Sequence, residues 1–229
     1  MKIAIEARII STSTGRYVER LLDYLQSIDK KNQYTVLLLE KDYDNWTPKS
    51  VNFRKKVANY PMYSLREQVS FAFLLYKNGY DLVHFTMPQH PILYVRRHVI
   101  TIHDLTLLNF INKRRLGFIK DIYKNIIKPT VFKTFMSIGI KKASRILTPS
   151  EYTKKKIIEK YGTYSKKIKV TYESADKLSV EPEPFPIKDK YILAVGNAFK
   201  YKNLERLILA TQEQSLEELY EVLKDRDNE

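Results

Sequence analysis

Short apolar runs rich in β-branched residues constrain the fold of this chain more than any other feature. The clearest run lies between His98 and His103, where Thr101 is the only polar residue. A run of this length is too short for a helix and is typical of a strand that is covered on both faces, as in a parallel sheet. Similar runs recur, and we predict strands at 2–6, 34–39, 51–59, 80–85, 99–103, 145–147 and 168–172.

Segments with helical periodicity lie between these runs. We predict one helix that begins at Gly15 and two others over 65–77 and 151–161. The apolar faces of the first two are expected at Val18, Leu21, Leu22 and Leu25, and at Val69, Phe73 and Tyr76. Strands that alternate with helices in this way predict the α/β class, with a doubly wound parallel sheet.

A proline-rich segment divides the chain. Residues 181–186 have the sequence EPEPFP, which is typical of a stiff, extended linker. Beyond it the pattern restarts, with a predicted strand at 191–195 and a predicted helix from about Asn203. We therefore predict a Rossmann-like domain over 1–180, followed by a linker and a truncated second α/β unit over 181–229.

The net charge of +14 narrows the class of partner. Nucleic acid, an anionic membrane surface and a phosphate-bearing substrate would each suit it. The alternative is a lysine-rich chain that is basic throughout. The basic residues are densest over 113–145, where ten of them accompany one acid and alternate with apolar residues. This span is a candidate surface for an anionic membrane, and the alternative is a solvated helix face over a core stripe.

The composition also bears on location. The chain has no cysteine, which excludes disulfides and thiolate metal sites and fits a reducing compartment. Charged residues interrupt the first eight positions too early for a signal peptide. No apolar run approaches the ~18–20 residues that a membrane-spanning helix needs. We expect a cytoplasmic protein, peripheral at the inner face of the membrane if the basic span binds lipid.

Three short segments could carry chemistry. His103 and Asp104 follow a predicted strand, where open parallel sheets bind ligands, and they are the candidate catalytic residues; the alternative is a pair that only caps the strand. Gly15 and Arg16 open a helix whose N–H groups could bind phosphate, and the alternative is ordinary capping by Ser or Thr. Lys202, at a later predicted helix start, could also meet a phosphate or be merely solvated.

Six segments in order resemble the GT-B-fold, retaining glycosyltransferases of the group 1, or family 4, type. They follow the order and spacing of that family from residue 1 to about residue 210. The segments are TGRYVERLL, YDLVHFTMPQHP, VITIHDLTLLNF, ASRILTPSEYTKKKIIEKYG, KIKVTYESAD and YILAVGNAFKYKNLERLI.

The resemblance implies two Rossmann-like domains, the first receiving the acceptor and the second binding the nucleotide-sugar. It places Gly15 against the donor diphosphate or its sugar, His103 against the transferred sugar and Lys202 against the diphosphate. It implies no metal and no cofactor, so helix N-termini and cationic side chains must stabilise the leaving diphosphate. Reaction on one face of the sugar, with the leaving group assisting acceptor deprotonation, requires no protein nucleophile.

The sequence departs from the family pattern in three places. Ser13 stands where the first of two glycines is frequent, and Asn197 stands where an Arg often follows the glycine of the second domain. The nucleotide pocket and the paired-glutamate motif, expected late in the second domain, do not occur. We therefore expect an acceptor-side domain with the beginning of a donor-binding domain. The chain would then be a truncated gene product or a split enzyme whose missing part comes from a partner chain, and alone it would have little or no transferase activity.

The leading hypothesis is a glycosyltransferase, or its N-terminal part. It would transfer a sugar from a nucleotide-sugar to a cell-envelope glycan or lipid-linked acceptor with retention. One alternative is a non-catalytic, truncated paralogue or subunit that acts as an interaction module for a membrane or a partner. A second is a nucleic-acid binder, whose basic residues would share one face with stacking aromatics. We expect no nucleic-acid partner.

Overall fold

The structure of the protein is a computed structural model that describes residues 1–62, 64–105, 128–163, 165–175, 192–196 and 202–213. The chain divides into two compact units, Met1–Ser174 and Ala175–Glu229. The assignment of an acceptor role to 1–180 and a donor role to 181–229 stays a prediction.

The first unit is built on one sheet of seven parallel strands, in the order β3-β2-β1-β4-β5-β6-β7. The strands are β1 Lys2–Glu6, β2 Gln33–Leu38, β3 Phe53–Val57, β4 Leu82–Phe85, β5 His98–Thr101, β6 Arg145–Thr148 and β7 Ile168–Val170. The doubly wound parallel sheet is thereby confirmed. The direction in which strands are added reverses between β1 and β4, and open α/β sheets bind ligands at such a reversal.

Helices connect the strands. In the first unit they are α1 Gly15–Ile28, a π-helical turn Glu67–Phe71 that leads into α2 Ala72–Asn78, α3 Lys128–Lys142 and α4 Glu151–Tyr161. The bounds predicted for α4 are confirmed, because its ends carry strong local stop signals. The Ser150 hydroxyl accepts a hydrogen bond from the Thr153 N–H, and Gly162 is left-handed, which suits glycine.

Two hydrophobic cores lie on opposite faces of the sheet. Ile5 of β1 packs in one core with Val18 and Leu22 of α1. Its neighbour Ala4 belongs to the other core, with Leu75 of α2 and Ile140 of α3. Successive strand residues point to opposite faces, so a sheet covered by helices on both sides needs apolar residues at every position.

The predicted apolar face of the helix over 65–77 is wrong at Val69 and Phe73, whereas Tyr76 is partly buried and packs against the core. Val69 and Phe73 are 59% and 67% exposed. The buried residues of this segment are instead Glu67, Gln68, Phe71, Ala72 and Leu75. These buried residues recur at helical spacing, so the segment turns a neighbouring stripe inward, on which the Glu67 carboxylate lies 2.6 Å from the buried Arg8 guanidinium.

The second unit departs from prediction in its strand. Residues 192–195 are exposed and lie outside any strand, so the strand predicted at 191–195 is wrong over its described part. A strand needs a partner for its backbone N–H and C=O groups, and the described part of this unit offers no second strand. The helix predicted from about Asn203 is confirmed as α5, Leu204–Glu213.

The first part of the candidate membrane span over 113–145 lies outside the described residues, which resume at 128. Within its described part, Met136 and Ile140 of α3 are buried, while Lys133, Lys141 and Lys142 are exposed. This part is a solvated face over a core stripe, as the alternative interpretation holds. For the remainder of the span, membrane binding stays a prediction.

Candidate functional site at the carboxyl edge of the sheet

A hydrogen bond links the end of β1 to the residue after β4, at the place where the order of the strands reverses. The hydroxyl of Thr86, directly after β4, donates to the carbonyl oxygen of Glu6, the last residue of β1, at 2.7 Å. His103, two residues beyond the end of β5, lies against this junction, with its Nε2 at 3.0 Å from the Thr86 carbonyl oxygen. The structure therefore places His103 at the position where this class of sheet binds ligands.

The other ring nitrogen of His103 faces a carboxylate. Nδ1 of His103 lies 3.3 Å from Oε1 of Glu173, just past the end of β7. A carbonyl oxygen can only accept, so Nε2 donates to Thr86, and Nδ1 is the nitrogen that faces Glu173. The His103 side chain is 18% exposed and that of Glu173 is 48% exposed, so solvent reaches the pair.

The first turn of α1 reaches the same place through Tyr17. The Tyr17 ring meets the His103 ring edge-on, with centroids 4.8 Å apart. The Tyr17 hydroxyl lies 3.1 Å from Oγ1 of Thr101, which in turn lies 2.8 Å from Nε2 of the buried His84. Burial raises the pKa of Tyr17 and lowers the pKa of His84 to about 4, so both are neutral near pH 7.

Gly15 lets α1 begin where it does. A Cβ atom at this position would lie 1.8 Å from the carbonyl oxygen of Ile10, so only glycine fits. The N-cap residue Thr14 makes no side-chain capping bond, and the first turn holds no acidic residue. The N-terminus of α1 therefore lacks ordinary capping by the side chain of its N-cap residue. Its N-terminal partial positive charge is not offset by an acidic side chain of that turn, which favours an anion there.

The remaining predicted site residues lie elsewhere. Arg16 points along the exposed side of α1, with a guanidinium nitrogen 3.4 Å from Oε2 of Glu19. Asp104 is exposed, one residue beyond His103. Lys202 belongs to the second unit and is exposed, two residues before α5. The roles proposed for these residues stay predictions.

A buried ion network supports the loop between β1 and α1. Nε of Arg8 lies 2.7 Å from Oε1 of Glu6, and an NH2 nitrogen lies 2.6 Å from Oε1 of Glu67. Arg8 also donates to the carbonyl oxygen of Tyr60 at 2.7 Å, and the Gln89 amide donates to Glu67. All three charged side chains are at most 1% exposed. The network fixes the start of the loop that leads to Gly15.

Sequence reasoning missed Tyr17, Glu173 and Arg8 as members of this region. Tyr17 and Glu173 fall inside motifs that carry the family resemblance, but their contact with His103 depends on tertiary packing. Arg8 and Glu67 are 59 residues apart in sequence, and no local pattern pairs them. His84 is buried, and its contact with Thr101 gives it a supporting place behind that residue.

Residues 14–176 match the family model described as Glycosyltransferase Family 4. The chain belongs to glycosyltransferase family 4. The matched region contains His103 and the residues Tyr17, Thr86 and Glu173 that contact it, whereas Glu6, Arg8 and Ile10 precede the match. The family 4 resemblance seen in the sequence is thereby confirmed.

Individual relatives cover parts of the chain. The O-antigen chain mannosyltransferase RfbU of Salmonella typhimurium is 29% identical over 119 residues, which are 52% of this chain and 30% of that protein. The Anabaena Alr3699/HepE structure, in complex with UDP and glucose, is 15% identical, with a TM-score of 0.46 over 77% of this chain and 45% of its own. The lipopolysaccharide outer core galactosyltransferase WaaB in its apo form is 16% identical, with a TM-score of 0.46 over 83% and 50%. The chain thus spans half or less of each of these relatives.

Two further observations concern metal binding and membrane crossing. Within the described ranges, no cluster of three or more His, Cys, Asp or Glu side chains could hold a metal ion. Nor does any helix in those ranges have both the length and the apolar character needed to cross a membrane.

Proposed function

We propose that the chain is the acceptor-side part of a retaining glycosyltransferase, together with the beginning of its donor-binding part. It would transfer a sugar from a nucleotide-sugar to a cell-envelope glycan or lipid-linked acceptor. The observation that carries the proposal is the convergence on His103 of α1, β4, β5 and the chain after β7, all within the region that matches family 4. The curated relative, an O-antigen chain mannosyltransferase, supports a cell-envelope acceptor.

In this proposal each residue around His103 has a separate role. The ring of His103 would contact the transferred sugar, while Thr86 and Glu173 hold its two nitrogens. Tyr17 would close one side of the sugar pocket. The N-terminus of α1 at Gly15, assisted by Arg16, would stabilise the negative charge that develops on the leaving diphosphate.

Asp104 would lie at the rim, next to the acceptor. Its carboxylate could accept a hydrogen bond from an acceptor hydroxyl, which would help to orient that hydroxyl for reaction. We further propose that the protein works in the cytoplasm, with a partner chain completing the donor site. The isolated chain would then bind donor but turn it over slowly.

Calorimetric titration of the 229-residue chain with UDP- and GDP-linked sugars tests the proposal. We expect binding of one donor, weakened about tenfold in His103→Ala, because a contact of roughly 1–1.5 kcal/mol with the sugar is lost. Lys155→Gln, on the exposed side of α4, is the matched control and should bind as the wild type does. Absence of binding to every donor would contradict the proposal.

A further inference from the structure

We propose that an exposed basic apolar face, formed by Val69, Phe73 and Lys77 of the 65–78 helical segment with Lys56 of β3, docks on an anionic membrane surface. Val69 and Phe73 are large apolar side chains, yet both are more than half exposed. This face is separate from the carboxyl-edge site around His103 and from the span over 113–145.

The face contains a groove rather than isolated apolar side chains. An open groove of about 570 Å³ runs along the helical segment beside the edge strand β3. Its lining includes Lys56, Tyr60, Val69, Phe73, Leu74 and Lys77. Apolar side chains and two lysines thus line the same groove, a combination that suits the interface of a bilayer.

The apolar surface continues onto a neighbouring loop. Tyr76 donates its hydroxyl proton to the carbonyl oxygen of Leu93 at 2.9 Å and accepts from the N–H of Val95 at 2.8 Å. Leu93 and Val95 are exposed, and the Arg96 guanidinium lies 5.1 Å from the centre of the Tyr76 ring. The loop therefore adds two apolar side chains and a cation beside the same helix.

The charge of this region favours an anionic partner. Of the five basic residues in 53–80, Lys55 donates to the carbonyl oxygens of Tyr43 and Trp46 and does not line the groove, which leaves four. The acid of that range, Glu67, is buried against Arg8, and the exposed Asp81 follows the range. Residues 88–97 add Arg96 and Arg97 and no acid. Anionic lipid attracts such clusters by about 1 kcal/mol for each cation near the surface.

The same charges disfavour a second copy of the chain as occupant. A symmetric contact would bring the lysines and arginines of two identical faces together, and like charges across an interface repel. A bilayer offers both an apolar interior for Phe73 and phosphates for Lys77. Membrane docking would bring the proposed transferase to a lipid-linked acceptor, and in that respect the inference rests on the proposed function.

Vesicle flotation tests the inference without donor or acceptor, so its failure is distinguishable from failure of donor binding. The probes are vesicles of phosphatidylcholine with about one third phosphatidylglycerol and vesicles of phosphatidylcholine alone. We expect the wild-type chain to float with the anionic vesicles. The double variant V69S/F73S should partition about tenfold less, because two side chains lose burial in the interface.

Matched controls separate this face from general effects. Tyr24→Ser removes an aromatic side chain on α1 that is 66% exposed, close to the 67% of Phe73, and should leave flotation unchanged. Lys77→Gln should weaken binding about fivefold, whereas Lys155→Gln on α4 should weaken it less. Circular dichroism should show the same fold for all variants, since each changes an exposed residue.

Three results would overturn the inference. One is wild-type flotation that does not depend on phosphatidylglycerol, and another is a V69S/F73S variant that binds as the wild type does. The third is a dimer in sedimentation that V69S/F73S dissociates while vesicle binding is absent. That result would make the face a contact between copies of the chain.

Discussion

Helix α1 and the helical segment over 65–78 carry apolar residues at similarly regular spacing, yet they turn different sides of that pattern inward. In α1 the periodic residues Val18 and Leu22 are fully buried. In the other segment the periodic residues Val69 and Phe73 face solvent. Hydrophobic spacing therefore predicted the buried face of one helix and failed for the other.

A buried charge explains the difference. Glu67 must face the interior because Arg8 lies there, and its carboxylate reaches the guanidinium at 2.6 Å. An unpaired buried charge costs several kcal/mol, which exceeds the gain from burying one Val side chain. The π-helical turn begins at Glu67, and it brings Phe71 and Leu75 to the core behind that ion pair. The lesson is that a buried ion pair outweighs an apolar stripe.

Removal of Glu67 should have the largest effect on this contrast. Glu67→Ala leaves the buried Arg8 with one carboxylate and should lower the free energy of unfolding by about 3–5 kcal/mol. Glu19→Ala is the control, because it breaks only the exposed pair with Arg16 and should cost less than about 1 kcal/mol. Urea denaturation measures both. Equal costs for the two variants would contradict the explanation given for the helix face.

The second-largest effect should be the difference in stability between one truncation on α1 and one on the 65–78 segment. Leu22→Ala empties a fully buried site beneath α1 and should cost about 3 kcal/mol. Phe73→Ala removes a larger side chain from a predicted apolar face, yet it should change stability by no more than about 0.5 kcal/mol. The comparison is made by the same urea denaturation. A cost for Phe73→Ala that approaches that of Leu22→Ala would show that Phe73 is buried.

The loss of stability in acid should be the smallest of these effects. It arises from buried histidines near α1 and against α3. Burial lowers the pKa of His84, near α1, and of His90, against α3, to about 4 each, and it lowers the pKa of His98 in the same direction. The unfolded chain, with histidine pKa values near 6.5, binds more protons than the folded chain between about pH 6.5 and 4. Stability from these histidines is complete above that window and falls as the pH drops through it.

We therefore expect a loss of about 1–2 kcal/mol between pH 7 and pH 6. Unfolding by urea at the two pH values measures the loss. The variant His90→Asn should reduce the dependence on pH, because one of the titrating groups is gone. Stability that stays constant or rises on acidification would contradict the burial of these rings as neutral groups.

Much of the fold was predictable because its determinants are local. The strand at 2–6 and the helix 151–161 have unbroken apolar runs or clear caps, and their predicted bounds agree with β1 and α4. The strand predicted at 99–103 was displaced, since β5 ends at Thr101 and His103 lies in the loop beyond it. Strand ends depend on where the neighbouring strands stop pairing, which the sequence of one strand does not encode.

The site was predictable only in part. His103 was identified from its place after an apolar strand and from the family resemblance. Its partners, Tyr17 and Glu173, lie on elements that are adjacent only after the sheet has formed. The roles of Gly15, Arg16 and Lys202 toward a donor and the catalytic role of Asp104 stay predictions. The close packing of Gly15 against Ile10 agrees with a glycine at the start of α1.

Histidine NMR gives the most direct test of the proposal that a donor sugar binds beside His103. The chain has four histidines, and three of them, His84, His90 and His98, are buried. With ring-labelled histidine, the nucleotide-sugar that binds in calorimetry should shift the His103 ring resonances and leave those of His90 and His98 in place. Saturating donor that moves no His103 resonance would show that it binds elsewhere and would contradict the account.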